Sequence, residues 1–167
     1  GEPKPSTPDI IRKAAFLYTV NTADGVKVML TRSNSVSDYF YLPGGKIDEG
    51  ETGPQACVRE IEEECGVSID LDNFALEKLG TYHGSAHGKS GVKLEITVYR
   101  PVSRNENMAN QNNCEGRQEY SCFREGKQPT PSSEIAEIQY FSYEEVFTKL
   151  PESATLVVRN LHHRGIL

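Results

Sequence analysis

The sequence predicts an α/β (α+β) domain with a mixed β-sheet. Short apolar segments rich in β-branched and aromatic residues alternate along the chain with segments of helical periodicity. A length of 167 residues suits one domain with a sizeable core. No segment repeats, and no apolar run approaches the length of a membrane span.

The first elements are predicted to be two paired strands and a short extended segment. Residues 10–21 and 27–32 are apolar, and the Asp24–Gly25 pair between them favours a hairpin. Residues 39–45, YFYLPGG, follow a polar loop and end in two glycines. The chain is therefore expected to turn sharply just before the next element.

A helix is predicted over residues 53–65. Thr52 is a suitable N-cap, and Gln55 stands three residues later, as in a capping box. Pro54 lies in the first turn, where proline is tolerated. Gly66 is the expected end, because glycine readily adopts the left-handed conformation that terminates helices.

The second half of the chain is predicted to add three strands and two helices. The strands are expected at residues 75–83, 92–100 and 135–142, where apolar and β-branched residues concentrate. The helices are expected at residues 143–150 and 154–163.

The domain boundaries follow from composition. Residues 1–9 form a proline-rich segment that is expected to be a flexible arm, and residues 10–167 are expected to form a single domain. Between about residues 102 and 131 the chain is polar and rich in Asn, Gln and Glu. This stretch predicts a long loop inserted between two strands, because such loops are uncommon in compact domains.

The charge balance narrows the class of partner. The net charge is −6 and the pI about 5.3, which argues against a nucleic-acid groove and against a basic membrane-surface helix. Four cysteines without CxxC or zinc-site spacing predict free thiols in a reducing, cytoplasmic setting. Monomer and homodimer both remain open.

The stretch REIEEECGV, residues 59–67, carries four glutamates in five positions. On a helical wheel, Glu60, Glu63 and Glu64 share one arc beside the apolar stripe, while Glu62 points to solvent. Like charges at this spacing repel one another, and no basic residue follows at a distance that would relieve them. The glutamates therefore form either a solvated acidic face or a site for a hard divalent cation.

The region around these glutamates resembles the complete Nudix box. Gly45 is followed after five residues by Glu51, and after seven more by REIEEECGV, with every specified position filled. Leu42-Pro43-Gly44 is similar to the usual lead-in. The surrounding strand pattern extends the resemblance over about residues 10–101 and 131–165.

The resemblance implies an α/β/α sandwich and a pyrophosphohydrolase that cleaves a nucleoside diphosphate linked to a group X with metal-activated water. It implies Mg²⁺ or Mn²⁺ as cofactor and a small nucleotide as partner. The expected substrate is a (deoxy)nucleoside triphosphate, either unmodified or oxidised. A dinucleoside polyphosphate or a nucleotide sugar is the alternative, and a nucleotide-sensing domain without hydrolysis is the non-enzyme alternative.

Roles for individual residues also follow from the resemblance. Arg59 is expected to orient a metal-binding glutamate, and Glu51 to support the unit of loop and helix. The backbone of Gly44 and Gly45 is expected to help position the metal and the diphosphate. The expected metal ligands are Glu60, Glu63, Glu64 and Gly45.

The general base remains open between two sets of carboxylates. Glu63 or Glu64 can deprotonate the water directly. In some members of the family the base comes from a later loop, where Glu134 and Glu137 are the candidates. An ordinary role at a loop or strand edge is the competing interpretation for these last two.

Contacts to the nucleotide are expected from residues near the glycine turn. Arg32 ends the second predicted strand and either contacts the nucleotide or is an exposed strand-end arginine. Tyr39, Phe40 and Tyr41 can stack on a base, although strand alternation places at least one in the core. The predicted substrate-binding residues are Arg32, Gly44, Lys46 and Tyr41.

Overall fold

The computed structural model describes residues 9–34, 38–85, 91–105 and 121–167. These ranges contain seven strands and three α-helices. The strands are β1 (Asp9–Phe16), β2 (Thr19–Thr22), β3 (Gly25–Ser33), β4 (Gly44–Lys46), β5 (Phe74–Ser85), β6 (Val92–Ser103) and β7 (Ile135–Ser142). The helices are α1 (Gly53–Cys65), α2 (Tyr143–Lys149) and α3 (Glu152–His163).

The strands form two sheets. The first has the order β4-β1-β6-β5, with β1 parallel to β6 and the other pairs antiparallel. The second has the order β2-β3-β7 and is antiparallel throughout. The predicted mixed sheet and the α+β class are confirmed, and the second sheet was not anticipated.

The prediction of one strand over residues 10–21 is wrong. The chain leaves the first sheet after Phe16 and enters the second at Thr19. Between them, the N–H of Leu17 still donates to a carbonyl of β6, whereas the carbonyl of Tyr18 accepts from β3. The apolar pattern runs on through this crossing, so periodicity alone does not mark it. The predicted hairpin is confirmed as the β2–β3 pair, closed at Thr22 and Gly25.

Helices cover both faces of the sheets. Phe16 lies in a core with Ile61 of α1, whereas the next residue, Leu17, lies in a second core with Val158 of α3. Successive side chains near the end of β1 therefore face opposite helices, as the alternation of an extended chain requires. The result is the predicted arrangement of strands between helices.

Helix α1 begins and ends where the sequence predicts. The hydroxyl of Thr52 accepts from the N–H of Gln55 (3.2 Å), and the side chain of Gln55 accepts from the N–H of Thr52 (2.9 Å). Gly66 adopts the left-handed conformation, with φ of 65°. Both ends are thus set by local hydrogen bonds and by glycine.

Most of the predicted arm and half of the predicted insertion lie outside the described residues. Of the arm, only Asp9 is described, and it begins β1. Of the insertion, residues 106–120 are not described. Beyond them, Phe123 is buried, and its ring packs against that of Tyr18 with centroids 4.9 Å apart.

Candidate active site

A cavity of about 650 Å³ is lined by residues of α1, the N-terminal part of α3, the loop before β7 and strands of both sheets. One part of its wall is polar and the other apolar. The polar part contains Gly44, Gly45, Glu60, Glu63, Glu64 and Glu134. The apolar part includes Leu42, Leu94, Ile96, Leu150, Ala154 and Val157. The described lining therefore includes both a group of acidic side chains and a group of apolar side chains.

Arg59 ties the glutamates of α1 to the loop before the helix. Its Nε and Nη2 donate to the two carboxylate oxygens of Glu51, each at 2.9 Å. Its Nη1 donates to Glu60 Oε1 at 2.9 Å and lies 3.6 Å from Glu63 Oε1. Its Nη2 also donates to the carbonyl of Lys46 (2.9 Å). One planar guanidinium thus fixes the loop and the carboxylate of Glu60 together.

Glu51 completes this loop. Its Oε1 accepts from the N–H of Asp48 (3.0 Å), and the N–H of Glu51 donates to the carbonyl of Asp48 (3.0 Å). Hydrogen bonds from Arg59 and from the Asp48 N–H lower the pKa of Glu51 to about 2. Glu51 therefore remains ionised across the working pH range and keeps Arg59 paired.

Glu64 is in a different electrostatic state. Burial, a hydrogen bond with Glu60 and the charges of Glu60 and Glu63 raise its pKa to about 8, against a lowering contribution from the N–H of Gly44. That N–H lies 3.3 Å from Glu64 Oε1. At neutral pH, with no cation bound, Glu64 therefore holds a proton next to the carboxylate of Glu60.

Gly44 and Gly45 are required because neighbouring atoms lie too close to the backbone of the turn to leave room for a side chain. A Cβ on Gly45 would lie 2.5 Å from Cδ and Oε1 of Glu60. A Cβ on Gly44 would lie 2.0 Å from the carbonyl oxygen of Ala14, and the φ of Gly44 is +146°. The absence of a side chain at these positions lets the turn pack against both β1 and the α1 glutamates.

The oxygens of these carboxyl groups are suitable ligands for a hard cation, but the side chains are not arranged as a ready binding group. In the described part of the chain, no three Cys, His, Asp or Glu side chains form a ready metal-binding group. Glu60 pairs with Arg59, and the side chain of Glu63 is 55% exposed. The raised pKa of Glu64 shows that nearby positive charge would stabilise its carboxylate form, and carboxylate oxygens are ligands that Mg²⁺ prefers. Glu62 is exposed, as the wheel predicts.

The two candidate bases in the later loop have different surroundings. Glu137 Oε2 accepts from Arg32 Nε at 3.1 Å, and neither residue is among those that line the cavity. Glu134 does line the cavity, next to Ser133, whose φ of 56° is unusual for a residue other than glycine. The strained residue thus lies beside the one later-loop carboxylate that faces the site.

The loop carrying Glu134 is attached to the end of α1. The N–H of Ser132 donates to the carbonyl of Glu64 (3.0 Å), and the N–H of Thr130 donates to the carbonyl of Cys65 (2.9 Å). The last carbonyls of a helix have no partner within the helix, so this loop satisfies them. The position of Glu134 is therefore linked to the helix that carries the other glutamates.

Some of the residues predicted to contact the nucleotide line the cavity, and others do not. Tyr41 lines the cavity and is 45% exposed, whereas Phe40 is buried in the core. The side chain of Lys46 is not among the lining residues, although its carbonyl binds Arg59. The tertiary fold adds lining residues that the sequence did not single out, among them Lys13 of β1 and Thr31 of β3.

The chain belongs to the Nudix family. The model of the NUDIX domain matches residues 11–161, which is most of the chain. This matches the resemblance carried by the box and by the strand pattern around it. No helix within the described ranges is long and apolar enough to cross a membrane.

Several relatives match this chain over parts of their length. Dihydroneopterin triphosphate diphosphatase of Escherichia coli K12 is 28% identical over 65 residues, which is 39% of this chain and 43% of that protein. ADP-ribose pyrophosphatase of Methanocaldococcus jannaschii is 29% identical over 101 residues, 56% and 57% of the two chains. A putative 8-oxo-dGTP diphosphatase of Bacillus subtilis is 34% identical over 70 residues, 42% of each chain. The chain thus spans about half the length of these relatives or less.

Solved structures share the fold at low sequence identity. The MutT protein from Methanosarcina mazei Go1 superposes with a TM-score of 0.66 at 16% identity, covering 96% of this chain and 99% of that one. This likeness supports the fold over nearly the whole chain.

Proposed function

We propose that this protein is a metal-dependent pyrophosphohydrolase acting on a nucleoside diphosphate linked to X. The observation that carries the proposal is the charge of the cavity. Glu60, Glu63, Glu64 and Glu134 line it, and among the described lining residues Lys13 is the only lysine or arginine. An anionic diphosphate cannot enter such a site unless a cation offsets the carboxylates.

The carboxylates of Glu60, Glu63 and Glu64, with the backbone of Gly45, would hold Mg²⁺ or Mn²⁺. When bound, such a cation lowers the pKa of a coordinated water and offsets charge on the diphosphate. The residues of the chain would position the carboxylate ligands and the diphosphate. Arg59 restrains the carboxylate of Glu60, and the side-chain-free turn allows a diphosphate to approach the backbone.

For the general base, the geometry favours a carboxylate that faces the cavity. Glu63, Glu64 and Glu134 meet this requirement, whereas Glu137 is engaged with Arg32. A base must lie within hydrogen-bonding reach of the attacking water. We therefore infer that the base is one of these three, and their single Gln variants identify which.

As substrate we propose a (deoxy)nucleoside triphosphate, either unmodified or oxidised. Two of the relatives, by their names, act on triphosphates: dihydroneopterin triphosphate and 8-oxo-dGTP. The apolar lining residues of the cavity, together with the ring of Tyr41, suit a planar base. The alternatives are a nucleotide sugar and a dinucleoside polyphosphate, and the ADP-ribose pyrophosphatase relative favours the first of these.

The decisive experiment is a hydrolysis screen with Mg²⁺ and with Mn²⁺, in which mass spectrometry identifies the products. The panel contains the four deoxynucleoside triphosphates, 8-oxo-dGTP, ADP-ribose and a dinucleoside tetraphosphate. Release of a nucleoside monophosphate that depends on the metal supports the proposal. Glu63→Gln and Glu64→Gln should each lower turnover by orders of magnitude, while Glu62→Gln serves as the matched control.

A non-hydrolytic, nucleotide-sensing domain is the competing class. Tight nucleotide binding without release of monophosphate or pyrophosphate, at any metal concentration, would support it instead.

We also propose a reducing, cytoplasmic setting, supported by three buried free cysteines in the described ranges, Cys57, Cys65 and Cys122. Whether the working form is a monomer or a homodimer is open to sedimentation analysis.

A further inference from the structure

Thr31 is a polar residue at a buried position of β3. Apart from aromatic and cysteine side chains, it is the only polar residue buried in the described part of the chain, with 4% of its surface exposed. The residues just before it on the strand, Met29 and Leu30, are apolar and fully buried. A valine has the same shape and would suit such a position without a hydroxyl to satisfy.

The backbone of Thr31 is fully engaged, but its hydroxyl is not. The N–H of Thr31 donates to the carbonyl of Tyr41 (2.9 Å), and its carbonyl accepts from the N–H of Tyr41 (2.8 Å). Among the described residues, none forms a hydrogen bond with the hydroxyl of Thr31. No side-chain oxygen or nitrogen in the described ranges is both fully buried and without a hydrogen-bond partner, so part of this hydroxyl is exposed, and Thr31 lines the cavity.

The position of Thr31 in the cavity is set by Tyr41. Their backbone pairing brings the two residues side by side, and both line the cavity. Tyr41 precedes Gly44 by three residues, which span at most about 10 Å of extended chain. The pair therefore lies within about 10 Å of the turn proposed to hold the diphosphate, close enough for one nucleotide to contact both.

We propose that the hydroxyl of Thr31 hydrogen-bonds to the edge of the substrate's nucleobase and helps select it. The inference rests on the proposed function, since it takes the glycine turn as the diphosphate end of the cavity. The surroundings fit a base, because the exposed ring of Tyr41 offers a stacking face and Leu42 and Leu150 offer apolar walls. A hydroxyl both donates and accepts, so it can pair with a keto or an amino group.

The test compares Thr31→Val, which removes only the hydroxyl, with Thr31→Ser, which keeps it. Calorimetry measures the Kd of the intact protein, in Mg²⁺, for dAMP, dGMP, dCMP, TMP and inorganic phosphate. These probes require no hydrolysis. In Thr31→Val we expect the Kd for the preferred mononucleotide to rise about tenfold, the effect of losing one hydrogen bond. The Kd for phosphate should change less than twofold, and Thr31→Ser should bind within about twofold of the wild type.

A second readout separates binding from structure. If the hydroxyl has no partner in the protein, the Tm of Thr31→Val is equal to or above that of the wild type. A lower Tm would assign the hydroxyl a structural partner and overturn the proposal. Equal mononucleotide Kd values in the Val variant and the wild type would overturn it, as would an equal loss for phosphate or a wild type that binds none of the four mononucleotides.

The outcomes also distinguish this inference from the proposed function. A wild type that fails the hydrolysis screen but loses mononucleotide affinity in Thr31→Val refutes hydrolysis and retains base recognition. A wild type that hydrolyses a nucleotide, with unchanged kcat/KM and Kd in the Val variant, retains the function and refutes the role of Thr31.

Discussion

Replacing Glu64 with glutamine tests the electrostatics of the site without requiring knowledge of the substrate. Glutamine keeps the size of the side chain, and its oxygen can still accept from the N–H of Gly44, which lies 3.3 Å from Glu64 Oε1. It removes the one carboxyl group in the cluster whose pKa is raised, to about 8. The difference between this variant and the wild type therefore reports how the protonation of Glu64 contributes to the free energy of unfolding.

The sign and size of the effect follow from linkage. With no cation present, the folded protein keeps a proton on Glu64 that the unfolded chain releases above a pKa of about 4.5, so wild-type stability falls as the pH rises from about 4.5 to 8. At about 1.36 kcal/mol per pH unit, the loss has an upper limit of about 5 kcal/mol. Glu64→Gln has no such proton to lose, so relative to the wild type it gains stability over this window.

The assay is urea unfolding in EDTA at pH 5, 7 and 9, for the wild type, Glu64→Gln and the control Glu62→Gln. The difference in unfolding free energy between Glu64→Gln and the wild type should grow steadily with pH, while the Glu62 variant should run parallel to the wild type. Adding Mg²⁺ at pH 8 should stabilise the wild type and the control, but not Glu64→Gln. Parallel pH profiles for the wild type and Glu64→Gln would refute the reasoning.

Three further substitutions test positioning in the same site, each by steady-state kinetics on the substrate found in the screen. Arg59→Lys cannot reproduce the two-point pairing with Glu51, so kcat/KM should fall about 10- to 100-fold, and full activity would deny Arg59 an orienting role. Gly45→Ala places a methyl group 2.5 Å from the carboxyl of Glu60, which must move, and turnover should fall about 100-fold. Glu134→Gln should lower kcat about 100-fold or more if Glu134 is the general base, whereas an unchanged kcat would assign that role to the α1 glutamates.

The sequence by itself determined α1 and the division of its glutamates. Thr52, Gln55 and Gly66 set both ends of the helix through contacts within a few residues, and such contacts can be read from local spacing. Glu62 is exposed and Glu64 half-buried for the same reason, because the 3.6-residue period assigns each to a side of the helix. The Nudix box that contains these glutamates is the sequence feature that indicates the family.

The tertiary structure alone decided what lies across the cavity from α1. It divided the first apolar segment between two sheets, and it paired Arg32 with Glu137 outside the cavity lining while Glu134 faces the site. It also placed Thr31 in the wall of the cavity. Each of these outcomes depends on a partner far away in the chain; Glu137, for example, lies 105 residues from Arg32. Local periodicity reports which face of an element is buried, but not which distant side chain that face will meet.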